Sequence, residues 1–305
     1  MEQRTLGSTG MSVSRLGIGL YEMGMRKDSD AFSKSDTLLN LALDKGINLL
    51  DTAGCYGRSE EMIGRAVSHR RGEYSLATKA GHVTVDPYPP EPNEKAWSQE
   101  TISTSIDRSL VRLQTDHLDL VQLHSPSLEI LELGDAVTAL VKAKEAGKTR
   151  FIGYSGDNED AERAIELGVF DTLQTSFNLV DQSARGFLDD AVAANMGVII
   201  KRPVANMRWA GRQGSDPGPE AYRERVDAIQ AGGALPDDPG DPFYLALGFL
   251  FAHPQIDTAI VGTTNPDHLR SNVDLVEQGI EISPELVDEL HDRFDRWAAG
   301  WRGTT

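Results

Sequence analysis

Short apolar runs near 16–20, 47–51, 75–79, 118–123, 149–154, 172–176, 197–201 and 258–261 alternate with helical patterns near 35–45, 59–68, 99–113, 133–146, 158–167, 185–195, 243–252 and 266–276. This ordering constrains the fold more than any other feature of the chain. Strands separated by helices pair in parallel, and eight such units in 305 residues favour closure into a (β/α)8 barrel over an open sheet. Glycines at 46, 147, 168 and 197 fall where helices should stop, and a further helical pattern covers 284–298. No composition shift divides the chain, so residues 1–305 are expected to form a single domain. Ahead of the first run, Arg4-Thr5-Leu6 and Met11-Ser12-Val13 flank a Gly7-Ser8-Thr9-Gly10 turn, which predicts a β-hairpin acting as a lid or plug. Two connections are too long for plain loops, a proline-rich piece at 87–92 and a Gly/Pro/Asp-rich piece at 203–242. Both follow predicted strands and should overhang the carboxyl-end mouth, where long loops carry function.

Charge and cysteine usage exclude several classes. A net charge of −17 offers no basic footprint for a phosphate backbone, so nucleic acid is not an expected partner. No run approaches the length of a membrane span, and the opening Met1-Glu2-Gln3-Arg4-Thr5 lacks a signal-peptide pattern, so the expected location is the cytoplasm, with no membrane partner. Cys55 is the only cysteine, which rules out a disulfide framework and predicts no metal site; it reads as a bystander.

Three ionisable side chains end otherwise apolar strands: Asp51 the second, Lys79 the third and His124 the fourth. In a parallel barrel they converge, and Tyr56 lies in the loop just past Asp51. A free tyrosine titrates near 10, so a neighbouring ammonium is expected to lower its pKa, with a carboxylate holding that ammonium charged. Tyr56, Lys79 and Asp51 then form a tuned acid/base, and His124 can hydrogen-bond a carbonyl oxygen. No nucleophile is evident, which suits proton transfer to a carbonyl reduced by an outside hydride donor.

These residues sit within motifs that resemble the aldo-keto reductase family: Asp51-Thr52-Ala53, Tyr56-Gly57 and Ser59-Glu60; Ala77-Thr78-Lys79; Ser109-Leu110, Arg112-Leu113, Asp116 and Leu118-Asp119-Leu120 before His124. Gly147-Lys148, Arg150, Ile152-Gly153, Ser155, Gln174 and Asn178 follow in the family's order, and the likeness runs from Leu6-Gly7 and Thr9-Gly10 to Asn272. The resemblance implies an eight-stranded barrel, a nicotinamide cofactor bound without a Rossmann domain, and a catalytic tetrad of Asp51, Tyr56, Lys79 and His124. It implies cofactor contacts at Gly19, Ser155, Gln174, Phe177, Arg202, Gly262, Thr263, Thr264, His268 and Asn272. Ser155 and Gln174 would bind the carboxamide, Phe177 would stack on the nicotinamide, and Asn272 would meet the adenine.

Departures from the family pattern matter as well. Gly156 stands where relatives usually have Asn, with Asp157 or Asn158 the nearest replacements. Relatives that prefer NADPH often carry a cation at the positions of Gly262, Thr264 or His268; the nearest here is Arg270, so the cofactor is left as NADP(H) or NAD(H). The basic start of Lys201-Arg202-Pro203-Val204-Ala205-Asn206-Met207-Arg208-Trp209 suits a pyrophosphate, and Gly262-Thr263-Thr264-Asn265 offers backbone N–H groups ahead of a helix. Tyr21, Tyr88 and Trp209, with His82 and Trp97, are candidates for the substrate pocket. Gly17-Ile18-Gly19 has Glu22 where a dinucleotide fingerprint needs glycine, and H-E-x-x-H and C-x-x-C are absent. The reading is an NAD(P)H-dependent reductase of an aldehyde or ketone. Its alternatives are a sugar or polyol dehydrogenase running the same site backwards, a slow nicotinamide-sensing protein, and a barrel isomerase or hydrolase.

Overall fold

A computed structural model describes residues 1–82, 97–211 and 220–304. The chain opens with the antiparallel pair β1 (Gln3–Thr5) and β2 (Ser12–Ser14), then enters the barrel at β3 (Leu16–Gly19), followed by α1 (Tyr21–Gly24) and α2 (Ala31–Asp44). Next come β4 (Leu49–Asp51), α3 (Ser59–Val67), β5 (Ser75–Ala80), α4 (Gln99–Leu113) and β6 (Leu118–His124). Helices α5 (Leu128–Leu133) and α6 (Asp135–Glu145) precede β7 (Thr149–Ser155), α7 (Asn158–Glu166), β8 (Thr172–Ser176), α8 (Leu188–Ala193) and β9 (Gly197–Lys201). The last third holds α9 (Ala221–Gln230), α10 (Pro242–Phe251), β10 (Thr258–Gly262), α11 (Pro266–Glu277) and α12 (Pro284–Trp297).

Strands β3 to β10 pair in sequence order, all parallel, and β10 closes on β3 with Ala259 opposite Leu16. The expected (β/α)8 barrel is therefore present, hairpin included. Local chemistry supports its helices: Ser98, Ser127, Asp241, Asn265 and Ser283 each cap the helix that follows by accepting a backbone N–H. The pattern at 133–146 forms α6, and Gly134, at φ 76°, separates it from the short helix α5, which the sequence pattern did not show. Helix α9 lies within the connection that had read as an irregular loop, and the proline-rich piece at 87–92 lies outside the described residues.

Two apolar layers hold the barrel. Leu49, Ala77, Leu120, Ile199 and Ile260 form one buried cluster with Leu6, Met11 and Val13 of the hairpin. The hairpin is thus a plug at the amino ends of the strands, far from the mouth. The second cluster lies between strands and helices and includes Leu50, Leu76, Val121, Leu173 and Phe249. Period-two alternation sorts the two sets. At the floor, carboxylates tie neighbouring strands: Asp119 accepts from Leu76 N at 2.8 Å, Asp171 from Ile152 N at 2.8 Å and Asp257 from Val198 N at 3.0 Å.

Directly after β7, Gly156 has no space for a side chain, since a Cβ there would overlap the hydroxyl of Tyr154 and lie 2.7 Å from its Cζ. Tyr154 is 1% exposed and donates its hydroxyl proton to Pro126 O, so it cannot retreat. The family's Asn is sterically excluded here.

Two stability outcomes follow from this packing. Leu6→Ala should lower the unfolding free energy by about 2–5 kcal/mol, read from the urea midpoint, because the floor loses a fully buried side chain. Gly156→Ala should lower it by about 1–3 kcal/mol through overpacking, and the Tyr154→Phe background should recover part of that loss.

Candidate active site

The strands deliver their side chains by register. Asp51 stands two residues beyond Leu49, Lys79 two beyond Ala77, Gln122 two beyond Leu120, and Lys201 two beyond Ile199, so each points inward above the floor cluster. Lys79 Nζ lies 2.5 Å from Asp51 Oδ1, with both side chains almost wholly buried, and it donates a second bond to Thr52 O at 3.1 Å. The other carboxylate oxygen of Asp51 accepts from Gln174 Nε2 at 2.8 Å, across the barrel, and from Gln122 Nε2 at 3.4 Å. Ser155 Oγ donates to Gln174 Oε1 at 2.9 Å. One hydrogen-bonded chain therefore runs from Ser155 through Gln174 and Asp51 to Lys79.

Tyr56 is fixed over this chain by its loop. Its N–H bonds Ala53 O, its carbonyl accepts from Ser59 N, and Arg58 N reaches Gly24 O, each at 3.0 Å. Thr52 Oγ1 donates to Ser59 Oγ and Thr78 Oγ1 donates to Glu60 Oε1, both at 2.8 Å, which ties the loop and α3 to the strand ends. Lys79 Nζ lies 5.1 Å from the Tyr56 ring centre, and the rings of Tyr21 and His124 meet that ring edge-on at 5.1 and 5.7 Å.

The electrostatics differ from the sequence expectation at Tyr56. Burial pushes its phenol well above the ordinary value, and the Asp51 charge adds to the rise. The ammonium of Lys79 is already matched by Asp51, so desolvation prevails and the expected lowering is reversed. Burial also holds the His124 imidazole well below its usual range, with His82, Lys79, Lys201 and Arg202 acting in the same direction. The site thus presents a protonated phenol and a neutral imidazole.

Burial pushes the Cys55 thiol up to about 12, as expected of an unreactive group, yet its side chain touches two imidazoles. Its Sγ lies 3.4 Å from His124 Nδ1 and 3.8 Å from His82 Nδ1, and the two imidazoles stack with centres 4.3 Å apart. His82 also meets Trp97 edge-on at 6.2 Å, so both belong to the wall beside His124.

Among the proposed cofactor positions, Gly19 and Gly262 are paired at the ends of β3 and β10, beside Thr263 and Thr264 at the mouth. Thr263 Oγ1 accepts from Asn265 N at 3.1 Å and Asn265 Oδ1 from Asp267 N at 2.9 Å, so part of the expected anion cradle is already bonded. His268 is exposed and Asn272 half-buried, both on α11, where Arg270 is paired with Asp267. Arg202 adopts φ 55° and donates to Thr304 O of the carboxyl-terminal segment. That segment crosses the mouth: Thr304 N and Oγ1 each bond Asp181 Oδ2 at 3.0 Å, and Gly303 N donates to Asn158 Oδ1 at 2.6 Å.

Phe177 must be corrected. Its ring is fully buried in the outer layer, stacked on Phe249 at 5.6 Å and meeting His253 edge-on at 4.8 Å, so it cannot face a ligand at the mouth. Beta alternation explains this, since Gln174 points inward and residue 177 therefore points out. Neither replacement for the missing Asn is free. Asp157 binds Lys201 Nζ at 2.8 Å, Ser176 N at 2.7 Å and Thr175 Oγ1 at 2.9 Å, while Asn158 is bonded to Gly303. Lys201 is the residue the sequence reading undervalued; like Lys79, it ends an apolar strand. Trp209 packs partly buried against the helical layer, Tyr21 adjoins Tyr56, and Tyr88 lies outside the described residues.

Comparison with known proteins supplies the context for this geometry. The family model described as Aldo/keto reductase family matches residues 15–292. The chain is 30% identical to L-galactose dehydrogenase of Arabidopsis thaliana over 95% of this chain and 93% of that protein. It is 28% identical to an uncharacterized oxidoreductase, YqkF, of Bacillus subtilis (strain 168), over 90% of each. In fold it matches the holo form of aldo-keto reductase AKR11C1 from Bacillus halodurans with a TM-score of 0.82, 24% identity and 96% of each chain covered. With a closed barrel and a family match spanning nearly its whole length, the chain belongs to the aldo-keto reductase family of oxidoreductases.

Proposed function

We propose that this protein reduces an aldehyde or ketone to an alcohol, with Tyr56 giving the proton and His124 orienting the carbonyl oxygen. The observation that carries this reading is the buried Lys79–Asp51 pair, with Lys79 Nζ 5.1 Å from the Tyr56 ring centre and the His124 ring 5.7 Å from that same ring. A phenol kept protonated through the neutral range suits delivery of a proton to an alkoxide as it forms. The neutral imidazole donates a hydrogen bond to the carbonyl without adding charge. Lys79 keeps a positive charge within reach of the phenolate left behind, and Asp51 with Thr52 O holds that ammonium in place.

A nicotinamide dinucleotide fits the residues at the mouth. Ser155 and Gln174 form a buried hydroxyl–amide pair suited to a carboxamide, and Arg202 brings a guanidinium bonded to a backbone carbonyl to the mouth, where Lys79 and Lys201 are each paired with a carboxylate. Bound there, the cofactor supplies the hydride. The start of α11 carries Asp267 and its one nearby arginine is spent on that carboxylate, so discrimination in favour of a 2′-phosphate is weak and both NADH and NADPH are proposed to bind. The oxidative direction on a sugar or polyol is the second reading, favoured by the likeness to L-galactose dehydrogenase.

The test is a fluorescence titration with NADH and NADPH on wild type and Tyr56→Phe, alongside turnover of an activated aldehyde. Binding should survive in Tyr56→Phe while turnover falls by about 10²–10⁴-fold. Binding without turnover of any carbonyl or polyol by the wild type would favour the sensing alternative; absence of nucleotide binding would overturn the proposal. In the pH profile of reduction, kcat/KM should show no inflection near 6.5, where a free histidine titrates, because His124 is neutral above its lowered pKa. Activity should decline only on the alkaline side, as Tyr56 loses its proton.

A further inference from the structure

Cys55, His82 and His124 bring one sulfur and two imidazole nitrogens together at the barrel mouth. Among the described residues they form the one group of three such side chains with all ligand atoms within 4.8 Å of one another. The separations from Cys55 Sγ are 3.4 Å to His124 Nδ1 and 3.8 Å to His82 Nδ1. A tetrahedral zinc ion with Zn–S of about 2.3 Å and Zn–N of about 2.0–2.1 Å requires S···N distances of about 3.5–3.6 Å, between the two observed values. The imidazoles stack with an interplanar angle of 26° and centres 4.3 Å apart, so one ring must turn about its Cβ–Cγ bond for both Nδ1 lone pairs to converge on one ion. Two of the three are held by the fold: Cys55 is 4% exposed in the loop fixed by the Tyr56 and Ser59 backbone bonds, and His124 ends β6.

We propose that Cys55, His82 and His124 form a zinc(II)-binding site. The sulfur binds as thiolate and its proton passes to solvent, so the site gains one net positive charge on occupation. Both imidazoles bind neutral through Nδ1, leaving Nε2–H as the donor on each ring. Three protein ligands leave the fourth tetrahedral position for water. Burial pushes the Cys55 thiol up to about 12, with the Lys79 charge pulling the other way, so binding must displace a firmly held proton and the affinity stays below that of a closed four-ligand site. Because His124 also orients the carbonyl in the proposed reaction, zinc and turnover draw on one side chain; that consequence rests on the reductase reading, whereas the site itself does not.

The experiment uses the tag-free full chain, freed of metal on a chelating resin, and titrated with cobalt(II) and with zinc(II) against a chromophoric indicator. One equivalent of cobalt should bind and raise a thiolate-to-cobalt charge-transfer band in the near ultraviolet. Cys55→Ser should abolish the band, and Cys55→Ser and His82→Gln should each weaken zinc binding at least tenfold, since even outer-shell partners of a ligand are worth about 10–100-fold. Circular dichroism checks the fold of each variant; should Cys55→Ser fail to fold, the wild-type band and His82→Gln still decide. No charge-transfer band in the wild type, or zinc binding of wild-type strength in either folded variant, would overturn the site and show that the thiol only hydrogen-bonds the imidazoles. Turnover inhibited in step with zinc occupancy is expected, and a reductase that fails its own assay leaves the cobalt result readable.

Discussion

A lysine and an aspartate, each almost fully buried at 2.5 Å, set the terms for everything around them. An isolated charge in such a place would cost several kcal/mol, and removal of one partner strands the other. The barrel meets that demand with a built surround: Thr52 O takes a second Lys79 proton, and Gln174 and Gln122 serve the remaining oxygen of Asp51. Ser155 follows because Gln174 needs a donor for its own carbonyl. The pair thus fixes the identity of residues on five strands, β4, β5, β6, β7 and β8, and leaves Tyr56 above it as a half-buried phenol in a polarised setting.

The same physics separates the two ends of the barrel. At the floor, Asp119, Asp171 and Asp257 accept backbone N–H groups from neighbouring strands and are answered by groups such as Arg71, Arg150 and Lys144. Those carboxylates hold strands in register. At the mouth, Lys201 pairs with Asp157, Arg202 is engaged by Thr304, and left-handed backbone recurs at Arg202, Ala205, Asn206 and Met207. Left-handed non-glycine residues persist only where surroundings enforce them, and four within six residues make this turn a place where contacts hold backbone strain.

What could be read from the sequence follows the same division. Strand ends and inward side chains were legible, because a polar residue closing an apolar run has one reason to be there; Asp51, Lys79 and His124 were found by that rule. Lys201 obeys it too and was blurred into the basic stretch that follows. Phe177 was misplaced because a family likeness was followed past the last strand residue without counting faces. The steric exclusion at Gly156 could not be seen at all, since it depends on where the Tyr154 hydroxyl comes to rest. Cys55 was dismissed on its neighbours in the chain, whereas its neighbours in space, His82 and His124, arrive from two other strand ends.

The hairpin plug gives the barrel the character of a blind tube. With Leu6, Met11 and Val13 sealing one end, solvent reaches the Lys79–Asp51 pair from the other end alone. Whatever settles at the rim therefore controls how wet the interior is, and with it the effective dielectric in which that pair and the phenol interact. A ligand need not touch Lys79 or Asp51 to sharpen their field; stoppering the open end is enough.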